Sequence, residues 1–320
     1  MIALGIESSH QRGMGHLYRA LNLISYLRKV DQEAILFINQ DAPSIQVLEQ
    51  HKIPYEVVDY ADLESNWESG MIHKYRVDLW IFDKFETDLK SAEHIKGAGV
   101  LLAAIDDCGE GAKLVDLHFC GMLFHNRQGK NIYAGKEYLI LNSEIAEYRR
   151  LRTDRKKILV TLGGSDTYGV TIAVIKLLKK QGYAADIVTG PGFRHKEQLE
   201  QEIDIRFKIY ETVPSLIAKF YEYDLAITGG GVTCFEANAS GLPCIIIANE
   251  LHEIENAKYL AGFGGAKFAG YYKELTEESF NIKELDIQKM SAAALKALPL
   301  NGVENIYRKI QEYRSKNYAG

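Results

Sequence analysis

Through the first half of the chain, short apolar runs rich in β-branched residues alternate with stretches whose apolar residues recur every three or four positions. The runs at 2–7, 34–39, 55–59, 77–83, 100–106 and 116–120 read as strands, and helices fill most of the intervals. Such alternation implies parallel strands joined by crossover helices. A charged stretch, 149–157, then carries six basic residues in nine and no core pattern. Beyond it the alternation restarts, with strands predicted at 157–162, 185–189, 205–210, 224–228 and 243–248. Near the end, Val303, Ile306, Tyr307 and Ile310 share one helical face after Asn301 as a plausible N-cap.

The expected architecture is α/β, with two Rossmann-like domains: an N-terminal one over 1–150 and a C-terminal one over 157–300. A helix at 301–320 would be free to pack back on the first. The stretch 149–157 is expected to be a solvated linker; the sharper alternative is a basic rim that draws in an anionic substrate. A length of 320 residues is more than one ordinary core accommodates and suits two.

Composition narrows the function classes. Hydrophobic residues at 47% and charged ones at 25% are a globular balance, and no apolar run approaches the roughly 20 residues of a membrane helix. The strand-like opening has neither the basic start nor the cleavage site of a secretory signal, so a cytoplasmic location is expected. A net charge of -5 argues against a nucleic-acid partner. It leaves room for a small anionic ligand, because helix N-termini hold phosphates without net positive charge. Cys108, Cys120, Cys234 and Cys244 show no C-x-x-C spacing, so structural thiols are expected and neither metal nor cofactor.

Three glycine-bearing turns carry the candidate chemistry. The first, "GMGHLYRALNL", sets Gly13, Gly15 and His16 where a strand hands over to a helix, the edge at which open α/β sheets bind ligands. A dinucleotide fingerprint would need a third glycine where Tyr18 stands, and no G-K-[ST] follows for a P-loop. The second, "VTLGGSD", presents Gly163, Gly164 and Ser165 as either a phosphate cradle or a capped turn. The third, "ITGGGVTCFEANASGLPCIII", is the most specific: amides at 230–233 suit a diphosphate, and Glu236, one turn on, suits the cis-diol of a ribose.

These motifs, with "ENAKYL" after them, resemble the family of nucleotide-sugar hydrolases that release 2,4-diacetamido-2,4,6-trideoxyaltrose from its UDP derivative in pseudaminic acid synthesis. That family includes proteins labelled for spore-coat polysaccharide biosynthesis. The chain is also similar to GT-B glycosyltransferases, including the one that adds N-acetylglucosamine to the peptidoglycan lipid precursor. The resemblance runs from Ile2 to about Leu260 and implies the GT-B fold with an interdomain cleft. It makes His16 the catalytic residue. By the same resemblance Gly13, Gly15, Arg19 and Asp83 lie near the reacting sugar, and Gly164 and Ser165 line the phosphate side. Gly230, Gly231 and Thr233 hold the diphosphate, Glu236 the ribose, Val213 the uracil and Asn256 the sugar end. The chain departs from the family where relatives carry Asp-His-Tyr, having Asp83, Lys84 and Phe85, and where they carry Asn-Gln, having His252 and Glu253.

The implied activity is hydrolysis of a UDP-activated deoxy amino sugar to free sugar and UDP, in surface-polysaccharide or nonulosonic acid synthesis. A UDP-sugar brings its own leaving group, so the protein need only place a nucleophile and neutralise the diphosphate. A histidine, titrating near 6.5 in water, is suited to take the proton. A glycosyltransferase with a UDP- or CMP-sugar donor shares every one of these parts, and a silent nucleotide-sugar binder shares all but the base. The stretch 67–76 is expected to be an exposed helix, with an acceptor groove as its alternative.

Overall fold

The computed structural model describes residues 1–9, 14–122, 129, 131–164, 166–190, 192–211, 213 and 215–317. They divide into two compact units, the first made of 1–9, 14–140 and 301–317 and the second of 141–300.

In the first unit the strands are β1 (Ile2–Ile6), β2 (Ala34–Ile38), β3 (Tyr55–Val57), β4 (Leu79–Asp83), β5 (Leu101–Ile105), β6 (Leu117–Cys120) and β7 (Ile132–Ala134). They form one sheet in the order β3-β2-β1-β4-β5-β6-β7, with every pair parallel. Parallel neighbours need crossovers, and α1 (Gly15–Lys29), α2 (Ala42–Gln50), α3 (Trp67–Tyr75) and α4 (Leu89–Gly97) supply four of them. Alternate residues sort to the two faces. Leu4, Ile6 and Ile81 pack with Leu17, Leu23 and Leu27 of α1, whereas Ala3, Trp80 and Phe82 pack with Ile72 of α3 and Ile95 of α4. Helix α3 is thus no exposed helix: Glu68 and Ile72 are buried, and Glu68 meets His94 of α4 at 3.0 Å.

The second unit repeats the plan. Its strands are β8 (Ile158–Thr161), β9 (Ala185–Val188), β10 (Phe207–Tyr210), β11 (Leu225–Gly229), β12 (Cys244–Ala248) and β13 (Ala266–Tyr271). They lie in the order β10-β9-β8-β11-β12-β13, all parallel. Helices α5 (Val170–Gln181), α6 (Lys196–Glu202), α7 (Leu216–Phe220), α8 (Val232–Ala239), α9 (Glu253–Gly262) and α10 (Ile287–Ala297) surround it. The last helix, α11 (Gly302–Asn317), belongs to the first unit, where Val303, Ile306 and Ile310 join the α1 core and Tyr307 meets Tyr26 edge-on.

In both sheets the strand order reverses direction once, at β1/β4 and at β8/β11. Connections leave such adjacent strands toward opposite sides, opening a crevice beyond their C-terminal ends. The first and third glycine motifs follow β1 and β11; the second follows β8.

The stretch 149–157 is no solvated linker, and the second unit starts before it. Arg152 is fully buried, and its guanidinium donates to the carbonyls of Arg150, Phe220, Tyr223 and Ser240. Arg149 donates to the Leu295 carbonyl and Arg150 to those of Tyr221 and Tyr223. Several of these carbonyls end α7 and α8, where the last turn of a helix has no partner of its own. An arginine run read as charge for water instead ties helix ends together.

Candidate functional site

Beyond the C-terminal edge of the first sheet, β1 and β4 are in register, Ile6 opposite Asp83. His16, the second residue of α1, turns its ring back onto that strand end, with Nδ1 2.7 Å from Asp83 Oδ1. Arg19, one turn further along α1, grips the same carboxylate with Nε and Nη2, and its Nη1 reaches Asp106 Oδ2 at 2.5 Å. Asp106 follows β5, sits at a left-handed φ of 49°, and accepts a further bond from the Met122 amide at 3.0 Å. Three strand ends and one helix therefore converge on a single polar network.

Its electrostatics set the roles. Burial pushes Asp83 upward, but Arg19 and His16 outweigh it and hold the carboxyl below its ordinary value. An ionised carboxylate can only accept, so the hydrogen between it and the imidazole sits on Nδ1, leaving Nε2 as the free base nitrogen. Arg19 Nη2 also lies 3.1 Å from Nδ1, but it is held closer by Asp83 Oδ1, to which it donates. Burial would lower the Arg19 guanidinium; Asp83 and Asp106 reverse that and hold it above its usual range. Asp106 is pushed up by burial despite Arg19 and the Met122 amide.

At the edge of the second sheet, Gly230 and Gly231 lie between β11 and α8, with Gly231 in the N-cap position and Thr233 in the first turn. Glu236 lies one turn along α8. Burial pushes its carboxyl up to about 7, opposed by the Asn142 amide. The cradle is already engaged by a side chain. Glu253, at the start of α9, accepts from the Gly230 amide at 3.3 Å and from the Asn249 amide at 2.7 Å. Asn256, on α9, donates to the Gly230 carbonyl at 3.3 Å. A side chain at position 230 has no room, since its Cβ would stand 2.7 Å from that of Glu253.

His16, Arg19 and Asp83 are brought together in the first unit, and Gly230, Gly231, Thr233, Glu236 and Asn256 in the second. Gly13 and Ser165 lie outside the described residues. Gly15 opens α1 in helical backbone with open space around it, so it makes no sharp turn. Gly164 packs against Gly190 and accepts from the Gly192 amide at 2.9 Å. Asp166 takes up the amides of Val170 and Thr171 that open α5, so this motif includes a capped turn. Val213 is half-buried after β10. Asp106 and Glu253 join these two groups of residues without having been among the candidate site residues. Glu253 stood out in the sequence only as a departure from the family pattern, and the one local signal for Asp106 is its place at the end of an apolar run.

Two doubly wound parallel sheets in this order define the GT-B architecture of glycosyltransferases and nucleotide-sugar epimerases. Within that class, residues 158–306 match the family model described as Glycosyltransferase family 28 C-terminal domain. The chain is 28% identical over 275 residues to an uncharacterized protein of Methanocaldococcus jannaschii, covering 78% of this chain and 56% of that relative. It therefore spans little more than half of that relative's length. It is 26% identical to the spore coat polysaccharide biosynthesis protein SpsG of Bacillus subtilis, covering 87% of this chain and 86% of that one. Among solved structures, Acinetobacter baumannii MurG aligns with a TM-score of 0.72 at 15% identity, over 97% of this chain and 99% of its own. The glycosyltransferase VinC in complex with dTDP aligns at 0.65 and 14%, over 98% and 100%. UDP-GlcNAc 2-epimerase of Neisseria meningitidis bound to UDP-GlcNAc aligns at 0.62 and 12%, over 98% and 100%.

Proposed function

We propose that this chain is a nucleotide-sugar hydrolase of polysaccharide biosynthesis, cleaving a UDP-linked deoxy amino sugar at its anomeric carbon to free sugar and UDP. The observation that carries the reading is the 2.7 Å contact between His16 Nδ1 and Asp83, an imidazole oriented by a carboxylate at a sheet's switch point. In the reaction, His16 Nε2 takes a proton from water as its oxygen bonds to the anomeric carbon. The bond to the diphosphate breaks, its electron pair leaving on the phosphate oxygen. Asp83 stabilises the imidazolium so formed, Arg19 keeps Asp83 ionised, and Asp106 holds the Arg19 guanidinium in place. The second unit contributes the amides of the 230–233 turn for the diphosphate and Glu236 for the ribose hydroxyls.

A second reading, a glycosyltransferase with an alcohol in place of water, is favoured by the family 28 match over 158–306. Incubating the protein with a panel of UDP- and CMP-sugars separates the two. Free sugar and nucleotide released without any added glycan support the hydrolase. Turnover that appears only with an acceptor supports the transferase, and saturable binding with no turnover under either condition would overturn both.

A further inference from the structure

We propose that Glu253 is an internal rival of the nucleotide's phosphates, lodged in the amide cradle after β11, so that a diphosphate enters as Glu253 takes up a proton or swings aside. The inference rests on reading the 230–233 turn as the diphosphate site.

The geometry is that of a bound anion. Glu253 Oε2 accepts three backbone amides, from Asn249 at 2.7 Å, Gly230 at 3.3 Å and Glu250 at 3.4 Å. Its other oxygen, Oε1, lies 3.7 Å from where a Cβ on Gly231 would stand. Asn249 Nδ2 bonds the Leu162 carbonyl at 3.2 Å, so the ends of β8, β11 and β12 all meet at this carboxylate. Nearby polar capacity is also unspent: Thr228 Oγ1 and Asn256 Oδ1 are buried with no hydrogen-bond partner among the described residues.

A carboxylate and a phosphate ask for the same donors, and two anions cannot share one amide cradle without one giving up charge or place. The groups facing Glu253 decide which. At the N-cap of α9, His252 favours its ionised form; on α8, the Cys234 thiol is pushed up by burial, Cys244 and Glu253 itself. On the loop between β12 and α9, Glu250 is committed to the Tyr168 hydroxyl at 2.9 Å. Burial holds the Glu253 carboxyl above its ordinary value against the three amides. An arriving diphosphate pushes in the same direction, so binding is coupled to proton uptake. Nothing in this coupling is shared with a glutamine, which accepts the same amides without a charge.

Calorimetric titration of UDP and dTDP into the wild type, Glu253→Gln and Glu253→Ala at pH 8 and pH 6, each in two buffers of different ionisation enthalpy, tests the proposal. Both variants are expected to bind at least about tenfold more tightly than the wild type at pH 8, the effect of roughly one unit of proton linkage. That gap narrows at pH 6, and only the wild type carries the extra proton uptake. Protonation of Glu236 is common to all three and cancels in the difference. Equal affinities and equal proton uptake across the three proteins overturn the proposal while leaving the nucleotide site standing. Absence of binding by all three overturns the nucleotide reading and this proposal with it.

Discussion

A carboxylate that holds one nitrogen of a histidine decides what the other nitrogen can do. Asp83→Asn keeps the shape, but its amide can present a donor to Nδ1 and so stabilise the wrong tautomer. Turnover of the cleaved nucleotide sugar should fall by about 10²- to 10⁴-fold, with UDP affinity unchanged by calorimetry. His16→Ala should lose at least about 10²-fold for the same reason. Glu236 sets up an opposite trade. Its carboxyl is held at about 7 by burial, above its value in the unfolded chain. The folded state therefore binds the proton more tightly, and stability declines as pH rises from the unfolded value through about 7. Glu236→Gln should accordingly raise the melting temperature at pH 8, by the equivalent of about 2 kcal/mol once partial exposure is allowed for, and do little at pH 4. The same substitution should weaken UDP binding; unchanged affinity would remove the ribose role.

At the scale of elements, helices are placed by what satisfies their ends. Arg152 caps carbonyls around α7 and α8 from a chain segment far away in sequence. Arg152→Met leaves those acceptors buried and unpaired at about 1 to 3 kcal/mol each, so urea denaturation should show the second unit losing at least about 3 kcal/mol. The central strands of both sheets were readable because burial on both faces demands continuous apolar runs. Two edge strands, β7 and β13, were not. Strand β7 has three residues, and β13 buries only Ala266 and Ala269 of its six, so neither shows a run. Helix α3 looked exposed because its polar residues were counted as solvent-facing. Glu68 is buried against His94, a pairing 26 residues apart that periodicity cannot register.

For the whole molecule, the chain leaves its first unit near Leu141, builds the second, and returns with α11. Ending the chain at Asn301 would strip Val303, Ile306 and Ile310 from the first core, each worth about 1.5 to 3 kcal/mol of burial. That total rivals the stability of a typical domain. Limited proteolysis of the truncated chain is expected to digest the first unit and leave a resistant fragment near 141–300; equal resistance of both units would contradict this. The α/β class, the two-fold repetition of the parallel sheet, and the strand-end positions of His16, Gly230 and Glu236 were determined by the sequence alone. They are local consequences of apolar periodicity and of glycine at turns. Tertiary structure alone decided that Asp83, Arg19 and Asp106 serve His16, that Arg152 is buried, and that Glu253 fills the amide cradle. Each of those depends on bringing together a charge and its partner 64 to 88 residues apart, or on neighbouring strand ends meeting at one point. Whether a charge faces water or a partner is set by the packing around it, which no run of neighbouring residues encodes.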